Sequence, residues 1–255
     1  MTRNKHGGPR AANRPFEIER LWEGPDALVV NKPAGLSSHG GARVGRNLVN
    51  EMKLSLGREV FPVHRLDRDT SGAMLLALTP EGARKWAERL EAGEKKYLVI
   101  AKGRFRGERF LVDSPVSHNG RTFPAQTGFR VVRAFGEFTL LEALLYTGRT
   151  HQIRLHLAGL GKPVLGDDKY GDFELNKAWA KRLHRQRLYL HSAEMKLSGL
   201  HVFAPVPVWF PELWKIYSAE IRHPAVPLPK KPPTTAAPLG PMDAAKNRPE
   251  PEEGE

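Results

Sequence analysis

Apolar residues along the chain fall into short runs and helical stripes punctuated by Gly and Pro. After the turn Gly24-Pro25-Asp26, the run Ala27 to Asn31 predicts a buried strand, ending in the rigid loop Lys32-Pro33-Ala34-Gly35. Val44, Leu48, Val49, Met52 and Leu56 recur at helical spacing, with Gly57 as C-cap. Ala73 to Leu78 reads as a second apolar strand. Thr79-Pro80-Glu81 then supplies a cap, a first-turn proline and an acid near the positive helix end. Ala83, Trp86, Ala87 and Leu90 form that helix's apolar face, and Gly93 closes it. Tyr97 to Lys102 predicts a strand. Phe129 to Ala134 and Phe138 to Tyr146 predict two strands across the turn Phe135-Gly136-Glu137. Thr150 is expected to cap a helix with Ile153, Leu157 and Leu160 on one side, and Leu188 to Leu197 and His201 to Phe203 read as late strands. Strands outnumber helices and several are joined by short turns, which predicts an α+β fold with a mixed, largely antiparallel sheet.

Composition narrows the class. The chain has 255 residues and no cysteine. Disulfide frameworks, thiolate zinc sites, iron–sulfur clusters and cysteine nucleophiles are thereby excluded. No apolar run approaches the ~20 residues of a membrane span. Residues 1–15 contain no Leu, Ile, Val or Phe to build a signal-peptide core. The expectation is a cytoplasmic protein. The formal charge is +12. Residues 1–15 carry +4 and read as a basic disordered arm. Residues 224–255 carry −1, and nine of them are proline, which predicts a disordered tail. The folded body, residues 16–223, keeps +9. An excess of that size on the folded part favours a polyanionic partner, most often nucleic acid.

No G-x-G-x-x-G, Walker A, H-E-x-x-H or G-x-S-x-G occurs, so the sequence asks for no nucleotide cofactor. His151 and His156 are five apart, off the i, i+4 register of a helical zinc pair, and no metal is expected. The densest polar segment is His64-Arg65-Leu66-Asp67-Arg68-Asp69-Thr70-Ser71-Gly72, wedged between Phe61-Pro62-Val63 and an apolar strand. Polar groups so placed belong at a cleft or in pairs; on composition alone the segment also fits a charged surface turn. A second segment, Thr147-Gly148-Arg149-Thr150-His151-Gln152-Ile153-Arg154-Leu155-His156, puts two arginines at a helix start. That is an anion site by dipole and donors together, or a basic turn on a solvated face. Ile153 and Leu157 bury one side of that helix and Arg154 adjoins it. A buried arginine needs a carboxylate, for which Asp67 is the candidate. Tyr97, taken locally, is an ordinary strand tyrosine.

Six segments together carry a resemblance. Val63-His-Arg-Leu-Asp67-Arg-Asp-Thr-Ser-Gly72 resembles the signature of the RluA-type RNA pseudouridine synthases. Asn31-Lys-Pro-Ala-Gly35 resembles their first segment, Lys95-Lys-Tyr97-Leu-Val-Ile-Ala-Lys-Gly103 their tyrosine strand, and Thr147 to His156 their arginine segment. Gly161 to Gly171 and Leu188 to Ala193 follow in family order, so the likeness covers roughly residues 16 to 215. It implies the pseudouridine synthase fold: a two-lobed mixed sheet with helices flanking a central RNA-binding cleft. It implies isomerisation of uridine to pseudouridine within rRNA, of the large subunit, or tRNA, by a monomer using neither cofactor nor metal. Asp67 matches the essential aspartate, Tyr97 the tyrosine that stacks on the base, and Arg154 the arginine that pairs with the aspartate. Arg65 matches the position that helps fill the space left by the flipped nucleotide. His64, Lys32, Arg149, His151 and Gln152 are the further expected RNA contacts. An ionised carboxylate at Asp67 serves either attack on C1′ or removal of the 2′ proton.

Many relatives carry an S4 RNA-binding domain ahead of this body. With about 15 residues ahead of the body, no such domain is expected here, and the basic arm is expected to replace part of it. Two rivals belong to other classes. A non-catalytic RNA-binding or ribosome-assembly factor could share the scaffold. A glycoside or nucleoside hydrolase would need Asp67 and Asp69 on opposite sides of a scissile bond, about 5–9 Å apart, which two positions on one short segment serve poorly.

Overall fold

The computed structural model describes residues 18–40, 46–184 and 186–213. The arm 1–15, the tail 224–255, the body's outermost residues and Val44 lie outside the described residues. The chain runs β1 (Arg20–Glu23), β2 (Ala27–Lys32), α1 (Leu48–Leu56), β3 (Phe61–Pro62), β4 (Ser71–Ala77), α2 (Pro80–Ala92) and β5 (Glu94–Lys102). It continues through β6 (Arg109–Asp113), β7 (Val116–His118), β8 (Arg121–Phe123), β9 (Gln126–Phe135), β10 (Phe138–Leu145) and α3 (Gln152–Gly159). α4 (Phe173–Leu183), β11 (Leu190–Leu197) and β12 (Leu200–Phe203) complete it. Ten strands form one sheet with the path β1-β2-β4-β11-β5-β10-β9-β6, while β7 and β8 make a separate hairpin. All named strand pairs are antiparallel except β11 with β4. This is the α+β, largely antiparallel arrangement expected.

The central strands are covered on both faces, which is why they read as continuous apolar runs. On β5, Tyr97, Val99 and Ala101 join one core with Ile153, Leu157 and Leu190, while Leu98 and Ile100 face a second core with Trp179, Tyr189 and Phe210. Burying each such side chain contributes about 1.5–3 kcal/mol. The caps follow sequence chemistry. Asn47 accepts from the Asn50 N–H at α1, Thr79 from the Gly82 N–H at α2, and Gly57 ends α1 in the left-handed region.

Some elements differ from expectation. The helix expected after Thr150 begins one residue later: His151 is its N-cap, at φ 58°, with no side-chain cap bond. Leu160 is exposed rather than on the apolar side. Helix α4 was not anticipated, although Asp172 caps it through the Leu175 N–H and Trp179 buries one face. Its stripe is short and is interrupted by charge, so apolar periodicity alone is weak there. Among the described residues no helix is long and apolar enough to cross a membrane.

Candidate active site

Asp67 lies in the loop between β3 and β4, and backbone bonds hold that loop on both sides of it. The Ser38 hydroxyl donates to the Leu66 carbonyl at 2.6 Å and accepts from the Leu66 N–H at 3.0 Å. The Arg68 carbonyl accepts from the Gly35 N–H and from Lys32 Nζ, both at 2.9 Å. Lys32 Nζ also donates to the carbonyls of Leu36 and Pro33. The loop Lys32-Pro-Ala-Gly35 and the Ser38 that follows are therefore the bracket that holds the Asp67 loop.

Tyr97 reaches the same place from the sheet. Gly72 of β4 lies opposite Ser192 of β11, and Ser192 lies opposite Tyr97 of β5. Gly72 sits at φ 110°, and a Cβ there would fall 2.2 Å from the Ser192 carbonyl oxygen. Only glycine permits that approach. It draws the Asp67 loop towards the Tyr97 end of β5. Burial pushes the Tyr97 phenol up to about 12, against a smaller opposing effect of Ser192.

Arg154 comes from α3. Its Nε donates to Asp167 Oδ2 and its Nη2 to Asp167 Oδ1, both at 2.7 Å, while Nη1 donates to Asp67 Oδ2 at 3.1 Å. The Tyr170 ring lies 5.2 Å from the guanidinium, and its hydroxyl meets His151 Nδ1 at 2.9 Å. His151 Nε2 stands 3.6 Å from Asp67 Oδ1. Desolvation works against the Arg154 charge, but the hydrogen bonds and charge of Asp167, with Asp67 behind them, outweigh it and raise its pKa. Burial lowers the His151 pKa, against the nearby Asp67 charge.

Asp67, Tyr97, Arg154, Arg65, Arg149 and His151 all line one cavity of about 440 Å³. A second, of about 610 Å³, shares Arg65, Asp67, His151 and Arg154 with it and adds Arg68 and Lys169. The Asp67 carboxylate, the Tyr97 ring and a belt of cations thus face common space, with Glu91 and Tyr146 also on its wall. That suits a polyanion bearing a flat base.

Of the residues expected to contact RNA, Lys32 and Gln152 are held inside the fold, and half-buried His64 is tied to the backbone at one ring nitrogen. Lys32 is fully buried, its ammonium enclosed by the three carbonyls named above, and burial pushes its pKa down to about 7. Gln152 is buried: its Oε1 accepts from the Arg149 N–H and the Thr147 hydroxyl, and its Nε2 donates to the Gln126 carbonyl and the Thr127 hydroxyl oxygen. With the amide used on both sides, Gln152 ties the segment before α3 to β9. His64 touches the cavity, but its Nε2 accepts the Leu75 N–H at 3.0 Å, and burial drops its pKa to about 4. Sequence reasoning missed Ser38, Asp167 and Tyr170. Nothing in the spacing ties Asp167 to an arginine thirteen positions earlier.

A family model described as RNA pseudouridylate synthase matches residues 26–159. The Ribosomal large subunit pseudouridine synthase C of Vibrio parahaemolyticus is 32% identical over 201 residues, covering 72% of this chain and 63% of that protein. The protein of the same name from Escherichia coli is 34% identical over 197 residues, covering 70% of this chain and 61% of its own length. The match thus spans rather less than two thirds of these relatives. The solved structure of Human RNA Pseudouridylate Synthase Domain Containing 4 superposes with a TM-score of 0.63 at 26% identity, covering 80% of this chain and 93% of that one.

Proposed function

The chain belongs to the RNA pseudouridylate synthase family, and on that premise we propose that it isomerises uridine to pseudouridine in large-subunit ribosomal RNA, in the cytoplasm, with Asp67 as its catalytic carboxylate. The observation that carries this reading is the convergence of Asp67, Arg154 and Tyr97 on one cavity, with 3.1 Å between Arg154 Nη1 and Asp67 Oδ2.

The reaction balances within the substrate. The N1–C1′ bond breaks, the uracil turns, and C5 bonds to C1′. C5 loses a proton and N1 gains one, so no net oxidation or reduction occurs. Breaking the glycosidic bond builds positive charge on the sugar, which the Asp67 carboxylate stabilises or traps. Tyr97 offers a ring against which the uracil lies, and its phenol stays protonated across the neutral range, since burial holds its pKa near 12. The target nucleotide must leave its stack to enter. That costs a few kcal/mol, least in a loop or bulge. Exposed Arg65, Arg149, Arg68 and Lys169 around the cavities supply phosphate contacts that offset it.

The test is incubation of the purified chain with large-subunit ribosomal transcripts, followed by nucleoside analysis and site mapping. Pseudouridine at one or a few positions is expected. Tight RNA binding without product would favour the assembly-factor reading, and release of free uracil would favour a hydrolase.

A further inference from the structure

We propose that Asp167 is a positioning residue for the reaction at Asp67, acting through Arg154; the inference rests on the synthase reading above. Asp167 is fully buried, and both of its oxygens are engaged by the Arg154 fork at 2.7 Å. Its Oδ1 also accepts the N–H groups of Lys169 and Tyr170 at 2.9 Å. The backbone beneath it is pinned by Asn176, whose Nδ2 donates to the Asp167 carbonyl at 2.8 Å and whose Oδ1 accepts from the Gly166 N–H at 2.7 Å. Gly166 itself stands at φ 77° where a Cβ would meet the Arg187 carbonyl, so the segment has little room to shift.

This sets the geometry at the reactive acid. A guanidinium is planar and prefers a two-pronged grip on a carboxylate. Asp167 takes that grip. A single longer bond, from Nη1, is what remains for Asp67, and it reaches only Oδ2. The other oxygen of Asp67 stays outside the Arg154 hydrogen bonds and faces His151 at 3.6 Å. Without the Asp167 charge, the fork is free to turn and seize both oxygens of Asp67, tying up the group that must meet the sugar. Asp168 does not serve the same end, since it is exposed and 3.4 Å from Nη2.

A merely structural Asp167 would neutralise a buried arginine and no more. A double-mutant cycle separates the two roles. The turnover number and the KM for a ribosomal transcript are measured for the wild type, Asp167→Asn, Arg154→Lys and the double variant. Asp167→Asn is expected to lower kcat about 30-fold with KM within about threefold, and to change kcat by under about threefold in the Arg154→Lys background. Undiminished kcat, equal losses in both backgrounds, or a loss carried by KM would each overturn the proposal. If Asp167→Asn does not fold, Asp167→Glu takes its place: it keeps the charge but displaces the Arg154 fork by one methylene, so a smaller fall in kcat, about fivefold, is expected, again with KM within about threefold and again lost in the Arg154→Lys background. Failure of both to fold would assign Asp167 to the core and end the proposal. An active wild type with an unimpaired Asp167 variant refutes this inference alone; a wild type that forms no pseudouridine refutes the synthase reading and the inference with it.

Discussion

Ser38 grips both polar groups of the Leu66 backbone, donating to its carbonyl and accepting from its N–H, one position before Asp67. A hydroxyl used in both directions fixes that peptide in place and in rotation. Ser38→Ala leaves a buried donor and a buried acceptor unpaired, a loss of about 1–3 kcal/mol. Urea denaturation is expected to show that loss, and turnover is expected to fall while RNA affinity holds. Unchanged stability and turnover would remove the bracket from the account.

Gly72 is the narrowest point between the Asp67 loop and the strand beside Tyr97. Gly72→Ala adds a methyl 2.2 Å from the Ser192 carbonyl oxygen and puts it on a backbone at φ 110°. Overpacking and the strained conformation together cost about 3 kcal/mol or more. The thermal midpoint of the purified variant is expected to drop by several degrees. A variant as stable as the wild type would mean that β4 and β11 separate freely.

Two desolvated imidazoles, buried His191 and half-buried His64, predict acid sensitivity. Burial lowers the pKa of both His64 and His191 to about 4, from 6.5. His64 must stay neutral to accept the Leu75 N–H, and His191 Nδ1 shares a hydrogen bond with the Ser71 hydroxyl. As pH falls from 6.5 to 4, the unfolded chain takes up protons that the folded one refuses. Stability therefore declines across that window, by up to about 3 kcal/mol for each ring, and is unaffected by these groups above it. Urea midpoints at pH 7 and pH 4.5 check this, and His191→Gln should lessen the decline. A flat response would contradict neutral rings in the fold.

Most of the sheet was legible because its strands are short apolar runs set off by Gly and Pro, and α1 and α2 because Gly57 and Thr79-Pro80 mark their ends. The meeting of Asp67 with Arg154 was anticipated from charge burial, as an arginine beside a buried helix face demands a carboxylate. That argument could not reveal that the stronger partner is Asp167. Partner choice depends on the loop after Gly166 folding back under α3, which no local pattern encodes. The same holds for Lys32 and Gln152. A cation and an amide near a reactive segment look like ligands for RNA, and only the tertiary fold shows their polar atoms turned onto the backbone and neighbouring hydroxyls. Ser38 escaped notice because a lone serine in a loop carries no spacing signal.

The most direct measurement is pseudouridine mapping of ribosomal RNA from cells lacking this chain, complemented with the wild type or with Asp67→Asn. The substitution keeps the size of the side chain and removes its charge. One or a few pseudouridines are expected to vanish without the chain, to return with the wild type and to stay absent with Asp67→Asn. Their return with Asp67→Asn would contradict the role given to that carboxylate.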